Sequence, residues 1–386
     1  MQHESANRMA EIAPFHVMKL LARARALEVQ GRSIVHMEIG EPDFETPQPI
    51  IQAGIKALER GLTHYTPALG LPALRQAIAD FYDSRYQQQV TSGSVVITPG
   101  SSGALQLICG VLINPGDEVL LTDPGYPCNR HFVQLMGGQP KFISLSEAAN
   151  YQLSLDDIKQ NWTDKTRAII LATPSNPTGT VLEISFLKDV AAFAKTKNAY
   201  VIVDEIYQGL VYDVESQTMA GRFDNVFVIN SFSKYFCMTG WRIGWLIAPE
   251  AFVEDIDKLA QNIFLAASTP GQHAALAAFH DESIELLESN RKAFQQRRDY
   301  LYSEIVSMGF QLQEKPQGAF YLYANAASLA NNSDELAHGL LENAGVAITP
   351  GKDFGYIGAQ THVRFAYTTS IGKLIMGVDR MRAYLG

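Results

Sequence analysis

The chain has 386 residues, 47% of them apolar and 18% charged, with a formal charge of −9. That length exceeds what one hydrophobic core usually serves, so two domains are expected, and the composition excludes a disordered chain or a fibre. The acidic balance, with no run of Lys or Arg, excludes a general nucleic-acid binder.

Past Pro14 the apolar positions Val17, Leu20, Leu21, Ala24 and Leu27 recur at helical spacing, and Gly31 lies where that helix would stop. SIVHMEIGEPDFETP then reads as a short strand running into a Gly and Pro break, which sets a domain boundary near residue 45. From about residue 94 come seven short apolar runs: SVVITP, DEVLLTD, PKFISL, RAIILAT, AYVIVDE, NVFVINS and RIGWLIAP. Amphipathic stretches of about 10 to 15 residues separate many of them. This pattern predicts an α/β domain with a largely parallel sheet covered on both faces, whose ligands bind where strand C-termini meet loops. From about residue 275 the chain turns helical, as in SIELLESNRKAFQQRRDYLYSEIVSMG, before the strand candidates AFYLYAN and THVRFAY. That is an α+β second domain, and the cleft between the two is the expected site.

The cysteines, Cys109, Cys128 and Cys237, are odd in number, far apart and outside C-x-x-C spacing. Neither a disulfide framework nor a zinc site is expected, and a reducing cytoplasm fits. No apolar stretch approaches the roughly 18 residues of a membrane span, and MQHESANRMAEIAPF lacks the basic and apolar regions of a secretory signal, so no membrane association is expected.

The most informative segment is SFSKYFCMTGWR, from Ser231 to Arg242, directly after a predicted strand. A lysine in apolar surroundings loses hydration, its pKa falls, and it becomes able to form and exchange Schiff bases. Ser231 and Arg242 flank Lys234 with a hydroxyl and a permanent cation, groups that hold a phosphate monoester. Together they point to a phosphorylated aldehyde cofactor. An isolated S-x-x-K is usually an exposed loop lysine. The acyl-serine alternative lacks its S-D-N and K-T-G companions.

Three other segments supply matching functions. VVITPGSSGALQL leads from a strand through Pro99, Gly100, Ser101, Ser102 and Gly103 into a helix, whose free N–H groups form a phosphate site or simply a β-to-α turn. Asp204 ends the run AYVIVDE, with Tyr207 three residues on. Its carboxylate is placed to pair with a protonated pyridine nitrogen, or to cap a helix. Asn176, in ATPSNPTG, offers an amide donor for a phenolic oxygen, or forms an Asn-Pro turn.

With these residues in place, the chain resembles the class I/II pyridoxal-phosphate aminotransferases of fold type I. EIGEPDF, HYTPALGLPALRQAI, TPGSSGALQL, PGDEVLLTDPGYP, PSNPTGTV, VDEIY, SFSKYFCMTGWRIGW and THVRFAY occur in that family's order and at about its spacings, over nearly the whole chain. The resemblance implies a large domain, residues 46–275, with a mainly parallel seven-stranded sheet between helices. A smaller α+β domain is built from both chain ends, 1–45 and 276–386.

It further implies pyridoxal 5′-phosphate, held by Lys234 as the internal aldimine, with Lys234 later carrying a proton. Asp204 would pair with the pyridine nitrogen, Asn176 and Tyr207 would bond the phenolic oxygen, and Tyr126 would stack on the ring. Ser101, Ser102, Gly103, Ser231, Ser233 and Arg242 would bind the phosphate. Tyr65 would reach the phosphate of a neighbouring subunit, which implies a homodimer. Arg364 would clamp the substrate α-carboxylate with help from Gly40 and Asn176, although by itself it reads as a strand-edge surface residue.

The implied activity moves an amino group from an L-amino acid to a 2-oxo acid by a ping-pong route, 2-oxoglutarate being the family default. The rivals are a β-lyase or cyclopropane-forming synthase of the same fold, and a non-catalytic regulator. The regulator needs an N-terminal DNA-binding module, for which the roughly 45 leading residues leave little room. Side-chain selection is expected at Phe15, His16 and QNIFLAAS around Phe264, with an apolar, aromatic or broad preference.

Overall fold

The computed structural model describes residues 5–12, 14–356 and 358–386. The opening helix α1 (His16–Val29) stops just before Gly31, whose φ of +86° suits glycine. Its apolar positions divide between two tasks. Leu20, Ala24 and Leu27 are buried in the core, whereas Val17 and Leu21 face a cavity. The residue ahead of α1, Phe15, has no capping side chain. Instead the carboxylate of Asp353, 336 or more residues away, accepts the His16 and Val17 N–H groups at 2.8 and 2.7 Å.

The seven apolar runs form one sheet: β1 (Val95–Thr98), β2 (Glu118–Asp123), β3 (Gln139–Ser144), β4 (Thr166–Ala172), β5 (Tyr200–Asp204), β6 (Val226–Ser231) and β7 (Gly244–Ile247). Their order is β1-β7-β6-β5-β4-β2-β3. Neighbours are parallel, except that β7 runs antiparallel to both β1 and β6. Alternate side chains enter opposite cores. Ile97, Leu120, Ile169, Leu171, Val201 and Val203 lie on one face, and Val96, Val119, Leu121, Ile170 and Ile202 on the other. Burial of both faces is why these strands read as unbroken apolar runs. Helix α2 (Gly100–Leu112) covers the second face, and the helix Ile184–Thr196 covers the first with Leu187, Val190, Ala191 and Ala194. The C-terminal ends of β1, β2, β4, β5 and β6 therefore share one edge.

After the 27-residue helix α3 (Asp281–Ser307), the strands β8 (Tyr321–Asn325), β9 (Thr349–Pro350) and β10 (His362–Ala366) form an antiparallel sheet in the order β9-β10-β8. The N-terminal segment joins this part. Val35–His36 pairs in parallel with Val346–Ala347, and the Ala366 N–H donates to the Met37 carbonyl at 2.7 Å. Residues 38–40 are thereby laid across the edge where the large sheet's strands end. Among the described residues no helix is long and apolar enough to cross a membrane, and no His/Cys/Asp/Glu group could hold a metal.

Asp353→Ala removes a cap that no nearby side chain replaces. It is expected to cost about 1–2 kcal/mol, read as a lower urea midpoint, with amide exchange accelerating in α1 before it does in β4 or β5.

Candidate active site

Where the ends of β1, β4, β5 and β6 meet residues 38–40, α1, β8 and β10, they enclose a cavity of about 260 Å³. Gly40, Ser101, Ser102, Tyr126, Asn176, Asp204, Tyr207, Ser233, Lys234, Arg242 and Arg364 all line it. Residues spread over more than 300 positions converge because each follows a strand that ends at the same edge, or lies in the segments packed against it.

Lys234 sits in the loop after β6, and its Nζ donates to the Gly40 carbonyl at 2.5 Å. The same amine lies 5.9 Å from the ring centre of Tyr207 and 5.8 Å from that of Phe320. Burial pulls its pKa down to about 8; Arg364 and Arg242 push the same way, while Glu41 and Asp204 oppose. The neutral fraction of the amine near physiological pH is thus minor, but far larger than for a solvent-exposed lysine. Asp204 ends β5 and accepts the Ile206 N–H at 3.0 Å, a local turn bond. Burial raises its carboxyl to about 6, against the opposing pull of that N–H and of Lys234. Burial likewise pushes the Tyr207 hydroxyl well above its ordinary value, so it stands as a neutral donor.

Arg364 is 4% exposed and lies on the central strand β10, not at a surface edge. One Nη donates to Asn176 Oδ1 at 3.0 Å, and the other to the Glu38 carbonyl at 2.6 Å and Thr349 Oγ1 at 3.4 Å. The guanidinium lies 4.2 Å from the ring centre of Tyr321 and 4.7 Å from that of Phe354. Its Nε is buried without a partner, and among the described residues no carboxylate pairs with it. The arrangement holds a permanent cation ready for an anion.

A second anion-receptive corner lies at the start of α2. Gly100 has φ +69°, and a Cβ there would come 2.5 Å from Arg242 Nη2, so the guanidinium rests against the helix N-terminus. A cation and the positive end of a helix repel each other, and an anion between them relieves this. The hydroxyls of Ser101, Ser102 and Ser233 border the same space.

Several predicted residues lie elsewhere. Gly103 begins the internal hydrogen-bond ladder of α2 and does not line the cavity; a Cβ there would press on Pro99 Cδ at 2.8 Å. Ser231 stands one layer back, bonding Ser233 Oγ at 2.9 Å and accepting the Ser233 N–H at 3.1 Å. Tyr65 is 82% exposed, away from its own chain's cavity. His16 borders a separate small cavity with Arg130 and Asp353. Phe264 packs against the core on the second face of the large sheet and does not line its own chain's cavity, whose α1 wall is made by Val17, Met18 and Leu21.

The sequence also left three contributors unnamed as site residues. Tyr321 Oη lies 2.7 Å from Tyr207 Oη, its ring supports Arg364, and a Cβ on Gly40 would collide with its hydroxyl. Glu38 holds Arg364 through its backbone, and Gly100 accommodates Arg242. The run AFYLYAN announced a strand but not which alternate face meets a ligand.

Comparison with known proteins agrees with this geometry. The pattern of the family "Aminotransferase class I and II" matches residues 32–380. The chain is 37% identical over 383 residues to the (5-formylfuran-3-yl)methyl phosphate transaminase of Methanocaldococcus jannaschii, covering 98% of this chain and 99% of that one. It is 34% identical over 391 residues to the aspartate aminotransferase of Bacillus sp. (strain YM-2), covering 98% of each. An aminotransferase structure from Mycobacterium tuberculosis superposes with a TM-score of 0.96 at 32% identity, over 100% of this chain and 99% of that one. The chain belongs to the class I and II aminotransferases, pyridoxal-phosphate-dependent transaminases of fold type I.

Proposed function

We propose that this transaminase moves the amino group of an L-amino acid to a 2-oxo acid, 2-oxoglutarate being the first acceptor to try, by a ping-pong route through Lys234. The observation that carries this reading is the convergence of a pKa-lowered lysine, a buried acid and two separate anion-receptive corners in one cavity. The donor set fits pyridoxal phosphate on its own chemistry: the unpartnered Arg364 Nε and the Arg242–Gly100 corner each call for an anion, one for a carboxylate and one for a phosphate.

In this reading Ser101, Ser102, Ser233 and Arg242 hold the phosphate, with Ser231 fixing Ser233 from behind and Gly103 setting the turn. Tyr126 would cover the ring, Asp204 would pair with its nitrogen, and Asn176 and Tyr207 would bond its phenolic oxygen. When bound, the cofactor supplies an aldehyde that condenses with amines and a ring that accepts electrons from the substrate α-carbon. Arg364 grips the α-carboxylate, with Gly40 and Asn176 beside it, and so fixes which α-carbon bond faces Lys234. Lys234 Nζ would be the group that takes the α-proton and returns it, a task suited to a buried amine whose pKa is lowered to about 8. The enzyme works in the cytoplasm as a homodimer, in which the exposed Tyr65 reaches the phosphate in the other subunit. The division near residues 45 and 275 separates the cofactor-binding domain from the domain that carries Arg364.

Adding one amino acid to the purified enzyme is expected to abolish the cofactor's visible band, and a 2-oxo acid to restore it. Ammonia released without an acceptor would move the protein to the lyases. Lys234→Ala is expected to lose the band of the covalently held cofactor and nearly all turnover, as read by spectrum and assay.

Asp204 yields a pH prediction. In the cofactor-free protein its carboxyl is raised from 3.8 to about 6, so the folded state binds more protons than the unfolded chain between those values. Stability is therefore lost as pH rises through that window, on the order of 3 kcal/mol by pH 7. Asp204→Asn is expected to flatten this loss in urea titrations of the cofactor-free protein, while weakening cofactor binding at least tenfold.

A further inference from the structure

Tyr65 is 82% exposed, yet the chain on either side of it is held by polar side chains of one helix, Thr269–Leu276. On one side Thr269 Oγ1 donates to the His64 carbonyl at 2.7 Å. On the other, Gln272 Nε2 donates to Thr66 Oγ1 at 3.0 Å, and Gln272 Oε1 accepts the Leu71 N–H at 2.8 Å. Gln272 is wholly buried, and the same amide nitrogen also donates to the Ala267 carbonyl at 3.0 Å.

A buried amide is unfavourable unless its donors and acceptor are bonded, and Gln272 directs those bonds at both ends of the turn that carries Tyr65. The helix is itself rooted in the core: Ala274 and Ala275 are wholly buried, and a Cβ on Gly271 would come 3.0 Å from Ile243. The far end of the turn is fixed to the large sheet, where the Ile97 N–H of β1 donates to the Leu69 carbonyl at 2.9 Å. There Gly70 turns the chain at φ +98°, and a Cβ on it would collide with Ile97. Residues 64–71 are therefore fixed along their length, while the ring of Tyr65 stands clear of its own chain.

We propose that Thr269 and Gln272 are positioning residues that set Tyr65 for the cofactor phosphate of the other subunit; this inference rests on the reading above in which Tyr65 crosses between subunits. Neither side chain lines the cavity of its own chain. A tyrosine on a loose loop would lose backbone freedom on meeting a ligand, a cost that the prior fixing of residues 64 and 66 removes. Only side-chain torsions are then left to settle as the hydroxyl meets a phosphate oxygen. Each subunit's helix Thr269–Leu276 thus governs cofactor affinity at its partner's site rather than at its own.

The test uses mixed dimers, purified through two different tags, of one subunit that keeps Lys234 and one that carries Lys234→Ala. Cofactor-stripped mixed dimers are titrated with pyridoxal phosphate, and the visible band reports binding at the single site that keeps Lys234. Thr269→Val placed on the Lys234→Ala subunit is expected to raise the Kd at that site about fivefold. The same substitution on the subunit that keeps Lys234 is expected to leave the Kd unchanged, and Thr269→Ser, which retains the hydroxyl, to match the unsubstituted dimer in either placement. Gln272→Leu is expected to act in the same direction as Thr269→Val and more strongly. A loss equal in both placements would mark a purely structural role and overturn the proposal, as would no loss in either. Tyr65→Phe on the Lys234→Ala subunit is the control. An effect there, with none from Thr269→Val or Gln272→Leu, overturns this inference alone, whereas no effect from Tyr65→Phe overturns the cross-subunit reading and this inference with it.

Discussion

A permanently charged guanidinium buried without a carboxylate is the constraint around which this site is arranged. An unpaired charge inside a protein is strongly unfavourable. The fold offsets this with oxygen lone pairs and ring faces: the Glu38 carbonyl, Asn176 Oδ1, and the rings of Tyr321 and Phe354. None of these neutralises the charge, and Nε is left with no partner. In the proposed reading, a carboxylate-bearing ligand completes what the protein leaves open.

The same surplus of positive charge prepares the lysine. Arg364 and Arg242 add to burial in lowering the pKa of Lys234, so the cations proposed to receive the anions of cofactor and substrate also favour a neutral amine between them. The Lys234 contact with the Gly40 carbonyl ties the large sheet to the segment that carries Glu38, which in turn holds Arg364. Tyr321 links the two halves from the other side, bonding Tyr207 through its hydroxyl while its ring supports the guanidinium. The residues proposed for cofactor and for substrate thus belong to one connected set of contacts.

Much of this was legible in the sequence, for physical reasons. The seven strands announced themselves because burial on both faces removes polar residues from the runs, and Lys234, Asp204 and Asn176 stood out because each follows such a run directly. Arg364 looked like a strand-edge residue because its covering neighbour β9 is only two residues long, too short to register as a strand. Tyr321 was hidden because alternation within a strand tells that two faces exist, not which one meets a ligand. Phe264 shows the opposite ambiguity: an aromatic in an apolar stretch fits a pocket or a sheet face equally well, and within its own chain it packs on the sheet. The apolar repeat of α1 shows a helix but not that its positions divide between core and cavity.

The central claim is that Lys234 is the amine that carries the cofactor. Reduction of the purified holoenzyme with sodium borohydride, followed by peptide mapping, tests it most directly, because reduction fixes the cofactor to whichever amine holds it. The account predicts a phosphopyridoxyl mass on the peptide containing Lys234 and on no other. Label on a different lysine, or no covalent label at all, would contradict it.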